Sequence, residues 1–176
     1  MNTESPVIQC IFKRRSVRKL KPDPLPDQDM NLMLECLQMA PSAGNIQPWF
    51  FYIVKDQALK DRLCTLSFDQ KVVAQAPVVF VVCARPLESA KEYGDLGRDF
   101  FCIQDTAAAV QNLLLAVHAM GYGAVWIGVV KEKEIAACLG LPENERPVAL
   151  IPVGLADESP AFPGRKSLDK ISRVLG

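Results

Sequence analysis

From Thr106 to Val130 the chain carries no Asp, Glu, Lys or Arg, and a stretch that long and uncharged must either cross a bilayer or be wrapped in protein. Its interior decides between the two. Gln111, Asn112 and His118 recur through it, and Gly121 and Gly123 break it into a helix followed by a strand, so it reads as a buried core helix. The spacing predicts that helix from about Arg98 to Met120, with Gly121 free to take the left-handed cap conformation. Along Ala107-Ala108-Ala109-Val110 and Leu113-Leu114-Leu115-Ala116-Val117 it is apolar almost all round, which requires cover on more than one side. A chain of 176 residues rarely encloses such a helix alone, so a second copy is the expected cover. His118, the single histidine, is expected to be a packed or capping residue.

Twenty basic and twenty acidic side chains cancel, which argues against a general nucleic-acid or membrane-surface binder. At 49% hydrophobic the chain is expected to form a single domain over residues 1–176, with 155–176 as an extended C-terminal tail. The six cysteines are scattered, with no C-x-x-C pair. Buried free thiols are expected, not disulfides or metal ligands, which suits a reducing cytoplasm. No charged segment followed by an apolar one opens the chain, so no secretory signal is expected.

Ser5 and Pro6 predict the start of a helix over Pro6 to Lys13. A second is expected from Asp27 to Met39, a strand over Trp49 to Val54, and a helix capped by Asp56. A short helix is expected from Phe68 to Gln75. Val78 to Cys83 is apolar without alternation, which predicts a central strand buried on both faces. Arg85 to Gly97 reads as an exposed, mobile excursion that could lie over a pocket. After the long helix, Tyr122 to Gly128 reads as a strand ending in a glycine that permits close backbone approach. A helix over Glu132 to Leu139 follows, then a strand over Arg146 to Val153 whose Pro147 and Pro152 suggest edge or irregular pairing.

Two stretches carry chemistry. Arg14-Arg15-Ser16-Val17-Arg18 ends the first helix, and three guanidiniums within five residues make sense around a dianion, with Ser16 adding a hydroxyl; a solvated basic face is the alternative. Pro41-Ser42-Ala43-Gly44-Asn45-Ile46-Gln47-Pro48-Trp49 joins a helix to a strand along a path that two prolines stiffen. Ser42, Asn45 and Gln47 supply the donors and acceptors needed to read a planar heterocycle. The alternative there is a turn-rich loop whose amides satisfy only their own backbone.

Taken together with Trp126-Ile127-Gly128 and the basic tail at Arg165-Lys166, these stretches resemble, in order and spacing, the FMN-dependent nitroreductase family. The resemblance implies an α+β fold, a mixed sheet surrounded by helices, in an intertwined homodimer with FMN at the interface. It places Arg14, Arg15, Ser16 and Arg18 on the phosphate and ribitol, completed by Arg165 and Lys166. Pro41, Ser42, Ala43 and Asn45, from the opposite subunit, would line the isoalloxazine, with Gln47 supporting their loop. Ile127 and Gly128 would offer backbone groups near N5 and O4, and Gln70 or Lys71 a polar ring contact. No side chain is named as catalytic and no metal is implied. The implied activity is two-electron transfer from NADH or NADPH to nitroaromatics, quinones or flavins by a ping-pong mechanism. A flavin-binding dimer without turnover, or a specialised activity such as reductive dehalogenation, is the alternative. The chain has no G-x-G-x-x-G, which fits a transient nucleotide and not a Rossmann dehydrogenase.

Overall fold

The computed structural model describes residues 4–129 and 131–176. Its elements are α1 (Pro6–Lys13), α2 (Asp27–Gln38), β1 (Trp49–Val54), α3 (Gln57–Leu66), α4 (Lys71–Gln75), β2 (Val78–Ala84), α5 (Pro86–Leu96), α6 (Cys102–Ala119), β3 (Tyr122–Ala124), β4 (Ile127–Gly128), α7 (Glu132–Leu139) and β5 (Arg146–Leu155). The sheet runs β1-β2-β5-β3, with β4 also on β5. Each of these pairings is antiparallel. The expected α+β class is met; a parallel pair, which a mixed sheet needs, does not occur among the described strands.

Every residue of β2 is buried, and its side chains divide between two cores. Val78, Phe80 and Val82 pack with Met33 and Leu37 of α2 and Ala109, Val110, Leu113 and Val117 of α6. Val79, Val81 and Cys83 pack with Leu63 of α3, Val72 and Val73 of α4 and Ile135 of α7. Three layers result, helices on both faces of one sheet, with α6 as a core helix. By length and composition alone, the helical stretch Pro86–Ala119 could cross a membrane; in this fold α6 spends its apolar side on the sheet and α2. Val130, the end of the uncharged run, lies outside the described residues.

Several expectations are corrected. Of the two alternatives for β5, edge or irregular pairing, the strand is central and its pairing irregular. A register irregularity opposite Val82 and Cys83 accommodates Pro147. Val129 N–H donates to Val148 O, so residues 148, 150, 152 and 154 turn their backbone polar groups toward β3 and β4. The gap between those two strands, at Val125 and Trp126, falls opposite Ile151 and Pro152, where proline has no N–H to give. The single strand expected over Tyr122 to Gly128 is split for the same reason.

Arg85 to Gly97 is helix, not a loose excursion, with Pro86 at its first position and Ser89 buried. Its start is fixed by Arg85, which donates to Glu145 (Nη2 to Oε1, 2.7 Å) while Tyr52 donates to the same carboxylate's Oε2 at 2.5 Å. Burial and that carboxylate push the Tyr52 hydroxyl up to about 12. A π-helical turn over Gly97–Phe101 joins α5 to α6, so α6 begins at Cys102 and not at Arg98. The helix expected from Phe68 begins only at Lys71, because Phe68 and Asp69 hold left-handed φ values of 57° and 55° while Asp69 N–H closes α3 on Cys64 O. All six cysteines are free.

Candidate functional site

The chain leaving α1 at Arg14 does not wander. Val17 N–H donates to Ala124 O of β3 at 2.9 Å, Lys21 N–H to Leu155 O at 2.8 Å, and Asp157 N–H to Lys19 O at 2.9 Å. Glu158 accepts the N–H groups of Arg18 (2.5 Å) and Lys19 (3.1 Å) on one carboxylate oxygen. Gly123 permits this closeness: a Cβ there would stand 2.9 Å from Val17 Cγ1. The arginine segment and the start of the tail are therefore one strip of structure, held on β3 and β5.

On that strip Arg15 donates to Phe12 O at 2.7 Å and Arg14 O at 2.9 Å, and its guanidinium lies 4.8 Å from the Phe162 ring centroid. Arg165 stands 5.4 Å from the same ring. Arg14 is half-buried, and burial, then Arg165, then Arg15 hold its guanidinium below the ordinary arginine value. Among the described residues the ion pairs are made by Lys55, Arg85, Arg98 and Arg146, and Arg14, Arg15 and Arg165 enter none. A cavity of about 360 Å³ opens beside them, lined by Lys13, Arg14, Arg15, His118, Tyr122 and Glu158 among others. Three neighbouring cations that enter no ion pair are suited to a phosphate dianion, since the carboxylate lining the cavity, Glu158, is engaged by the backbone N–H groups of Arg18 and Lys19. Ser16 is half-buried beside them, while Arg18 and Lys166 are exposed.

The loop from Pro41 to Trp49 is built differently. Ser42 Oγ accepts Gln47 N–H at 2.9 Å, Ser42 O accepts Asn45 N–H at 3.0 Å, and Gln47 O accepts Trp49 N–H at 2.8 Å. Asn45 and Gln47 sit at φ 56° and 55°, conformations that cost a non-glycine residue energy and persist where the surroundings over-determine them. One such surrounding is Asp105 in the first turn of α6, whose Oδ1 accepts Ala43 N–H at 3.0 Å. Its other oxygen is buried without a partner, and burial pushes this carboxyl up against the opposing pull of Ala43 N–H. Tyr93 of α5 covers the loop from outside; its hydroxyl would stand 2.7 Å from a Cβ on Gly44. Pro41 and Asn45 remain exposed, while the Gln47 amide is turned back on Asn45.

Ile127 is buried and Gly128 exposed on β4. Lys131 Nζ lies 5.3 Å from the Phe68 ring, which draws the segment holding Gln70 and Lys71 toward the exit of β4. Gln70 itself is exposed just before α4. The loop and the arginines are not brought together within one chain. The loop is tied to Asp105 near the start of α6 and the cavity reaches His118 near its end; thirteen residues at 1.5 Å rise put about 20 Å between them.

Two residues in these surroundings, Asp105 and Tyr93, are not among the motifs of the sequence. Asp105 has one available signal, a lone acid directly before the uncharged run. Tyr93 has none, since its partner Gly44 is distant in sequence. His118, expected as a packed or capping residue, is half-buried near the end of α6 and lines the cationic cavity.

The sequence profile of the nitroreductase family matches residues 11–70 and 66–155. The chain belongs to the nitroreductase family. A member from Thermus thermophilus, named NADH dehydrogenase, is 32% identical over 188 residues, covering 91% of each chain. The NADPH-flavin oxidoreductase of Vibrio harveyi is 28% identical over 160 residues, 87% of this chain and 67% of that one. Among solved family structures, B. megaterium NfrA1 superimposes with a TM-score of 0.86 at 28% identity, over 96% of this chain and 73% of that one.

Proposed function

We propose that this nitroreductase-family oxidoreductase binds FMN and moves two electrons from NADH or NADPH to small oxidised acceptors, nitroaromatics, quinones or free flavins, in alternating half-reactions. The observation that carries the reading is the arginine cluster: Arg14 and Arg15 line one cavity, Arg165 stands near enough to Arg14 to act against its charge, and among the described residues none of the three enters an ion pair. The flavin-oxidoreductase name of the Vibrio harveyi relative supports a flavin in this role. When bound, the flavin supplies the two-electron chemistry, and the protein supplies binding and electrostatics.

On this reading Arg14, Arg15 and Arg165, with Ser16, Arg18 and Lys166 at hand, hold the phosphate and ribitol. Pro41, Ser42, Ala43 and Asn45 line the ring, and the Ser42–Gln47 hydrogen bond keeps their loop in shape. Ile127 and Gly128 offer backbone groups from β4, and Gln70 reaches from the neighbouring segment. Because the loop and the arginines lie at opposite ends of α6, a complete site takes the loop of one subunit and the arginines of another, in one FMN-binding unit spanning residues 1–176. Apolar surface supports such a dimer. No residue of α1 is buried, with Val7, Ile11 and Phe12 at least half exposed. A mostly apolar groove of about 540 Å³ runs beside it, lined by Val7, Leu32, Met39 and Leu115. Leu168, Ile171, Val174 and Leu175 of the tail are exposed as well. Six free thiols accord with a cytoplasmic setting.

The test is anaerobic titration of the FMN-loaded dimer. Flavin absorbance near its visible bands should be lost on adding NADH or NADPH and return on adding a quinone or nitroaromatic. A monomer that takes up no FMN would overturn the reading, and a loaded dimer that neither nucleotide bleaches would reduce it to flavin binding.

A further inference from the structure

His118 forms one wall of the arginine cavity, on the last turn of α6. The groups that face it come from four directions. Lys13 comes from α1, Arg14 and Arg15 from the strip that follows, Glu158 from the start of the tail, and Tyr122 from β3. Glu158 is already engaged by the backbone of Arg18 and Lys19, and the Tyr122 hydroxyl donates to Asp29 of α2. On α6 itself the other acid, Asp105, is about 20 Å away. Burial, then Arg14, Arg15 and Lys13, hold the imidazole below its ordinary value. Without an anion, then, it is neutral at pH 7 and offers one N–H; protonated, it would offer two. The end of a helix also favours a cation, through the carbonyls left over there.

We propose that His118 is a further ligand of the phosphate site, engaging a phosphomonoester dianion as the imidazolium, so that FMN uptake by this chain is coupled to uptake of one proton from solvent. This rests on reading the cavity as the FMN phosphate site. A dianion placed among Lys13, Arg14 and Arg15 reverses the local field and raises the affinity of the imidazole for a proton. Binding is then strongest below the value His118 has in the free protein. It weakens by at most about tenfold per pH unit as pH rises from there to the higher value His118 has in the complex, and levels off above it. Below about pH 6 the second ionisation of the phosphate acts in the opposite sense, and it acts equally on any variant.

The experiment titrates the apo dimer with FMN and with riboflavin by flavin fluorescence between pH 6.5 and 8.5 at constant ionic strength. Calorimetry in two buffers of different ionisation enthalpy counts the protons taken up. The expected result is an FMN dissociation constant that rises several-fold across this range in the unmodified protein and stays level in His118→Gln, with riboflavin insensitive in both. Proton uptake on FMN binding is expected in the unmodified protein alone. Equal pH slopes in the two proteins, or FMN binding to the unmodified protein without proton uptake, overturn the role of His118 and leave the phosphate site standing. Equal affinity for FMN and riboflavin removes the phosphate site and the proposal with it. The calorimetric count needs no variant, so it decides the matter even if His118→Gln fails to fold.

Discussion

Replacing Arg14 by Met should move stability and flavin affinity in opposite directions. Met keeps an unbranched apolar stem beside Leu114 and Val117, which line the same cavity, and removes only the charge. In the apo protein that charge is unfavourable, since burial, Arg165 and Arg15 all act against it. The apo variant should therefore be as stable as the parent or more so, by at most about 1 kcal/mol given partial exposure, or about 2–4 °C in Tm for a chain of this size. With FMN the sign reverses. A charge-assisted bond contributes about 1.5–3 kcal/mol, so the dissociation constant should rise about 10- to 150-fold. At FMN one hundred times the parent's dissociation constant, the parent gains about 2.7 kcal/mol. A variant weakened about 100-fold gains only about 0.4 kcal/mol under the same conditions. Differential scanning fluorimetry with and without FMN should thus show the order of melting invert, the loaded parent lying about 5–9 °C higher before the apo difference is subtracted. A variant that melts below the parent when apo, yet shows the parent's full FMN-induced shift, would refute the reasoning, because Arg14 would then be structural and not a ligand of the anion.

Gly123→Ala should lower the unfolding free energy by about 1–3 kcal/mol through overpacking, since its Cβ would meet Val17 Cγ1 at 2.9 Å and Leu20 Cδ2 at 3.1 Å. Chemical denaturation should show that loss, and Val17→Ala in the same chain should recover part of both stability and FMN affinity; a neutral Gly123→Ala would mean that the strip does not lie on β3. Asp105→Asn should change the pH dependence of stability. Burial raises the folded carboxyl's pKa, so its contribution is fully present below the unfolded value near 3.9 and is lost as pH rises through the folded one. Relative to the parent, the Asn variant should therefore do better at pH 7.5 than at pH 4.5, its amide oxygen retaining Ala43 N–H, and denaturant midpoints that differ equally at both pH values would contradict this.

Local signals make much of the fold legible in the sequence. Pro6 marked the start of α1, and Asp56 accepts Leu59 N–H at 2.8 Å as the cap of α3; both depend only on neighbours in sequence. The unbroken apolar run of β2 announced burial on both faces. The rest turns on tertiary relief of a local rule. Pro147 and Pro152 point to an edge or to irregular pairing, and the second holds: a register irregularity on one side of β5 and the β3–β4 gap on the other leave no hydrogen bond to be missed. Pro86, Ser89, Glu92 and Asp95 suggest an exposed excursion, yet Pro86 opens α5 and Ser89 is buried in it. The candidate site divides the same way. Its arginines and its loop are contiguous motifs and could be named, whereas Asp105 meets Ala43 across 62 residues and His118 meets Arg14 only once α6 has packed beneath β3.

The about 20 Å between loop and arginines constrains how two copies could meet. A head-to-tail contact would complete one site and leave a second unfinished, whereas a two-fold axis makes every contact mutual. If that axis crosses α6 near its middle, the two copies of α6 run antiparallel, and the start of each, with Asp105 and the loop, comes alongside the end of the other, with His118 and the arginines. Both sites are then completed by one operation. The open side of α6 near that midpoint suits such a crossing, because Asn112, Leu115 and Ala116 line the apolar groove between α1 and α2. The absence of charge from Thr106 to the end of α6 then has a second physical reason beyond the core of its own chain. An acid or a base at Asn112 or Leu115 would sit at or beside the axis, face its own copy, and be desolvated with a like charge as its nearest neighbour.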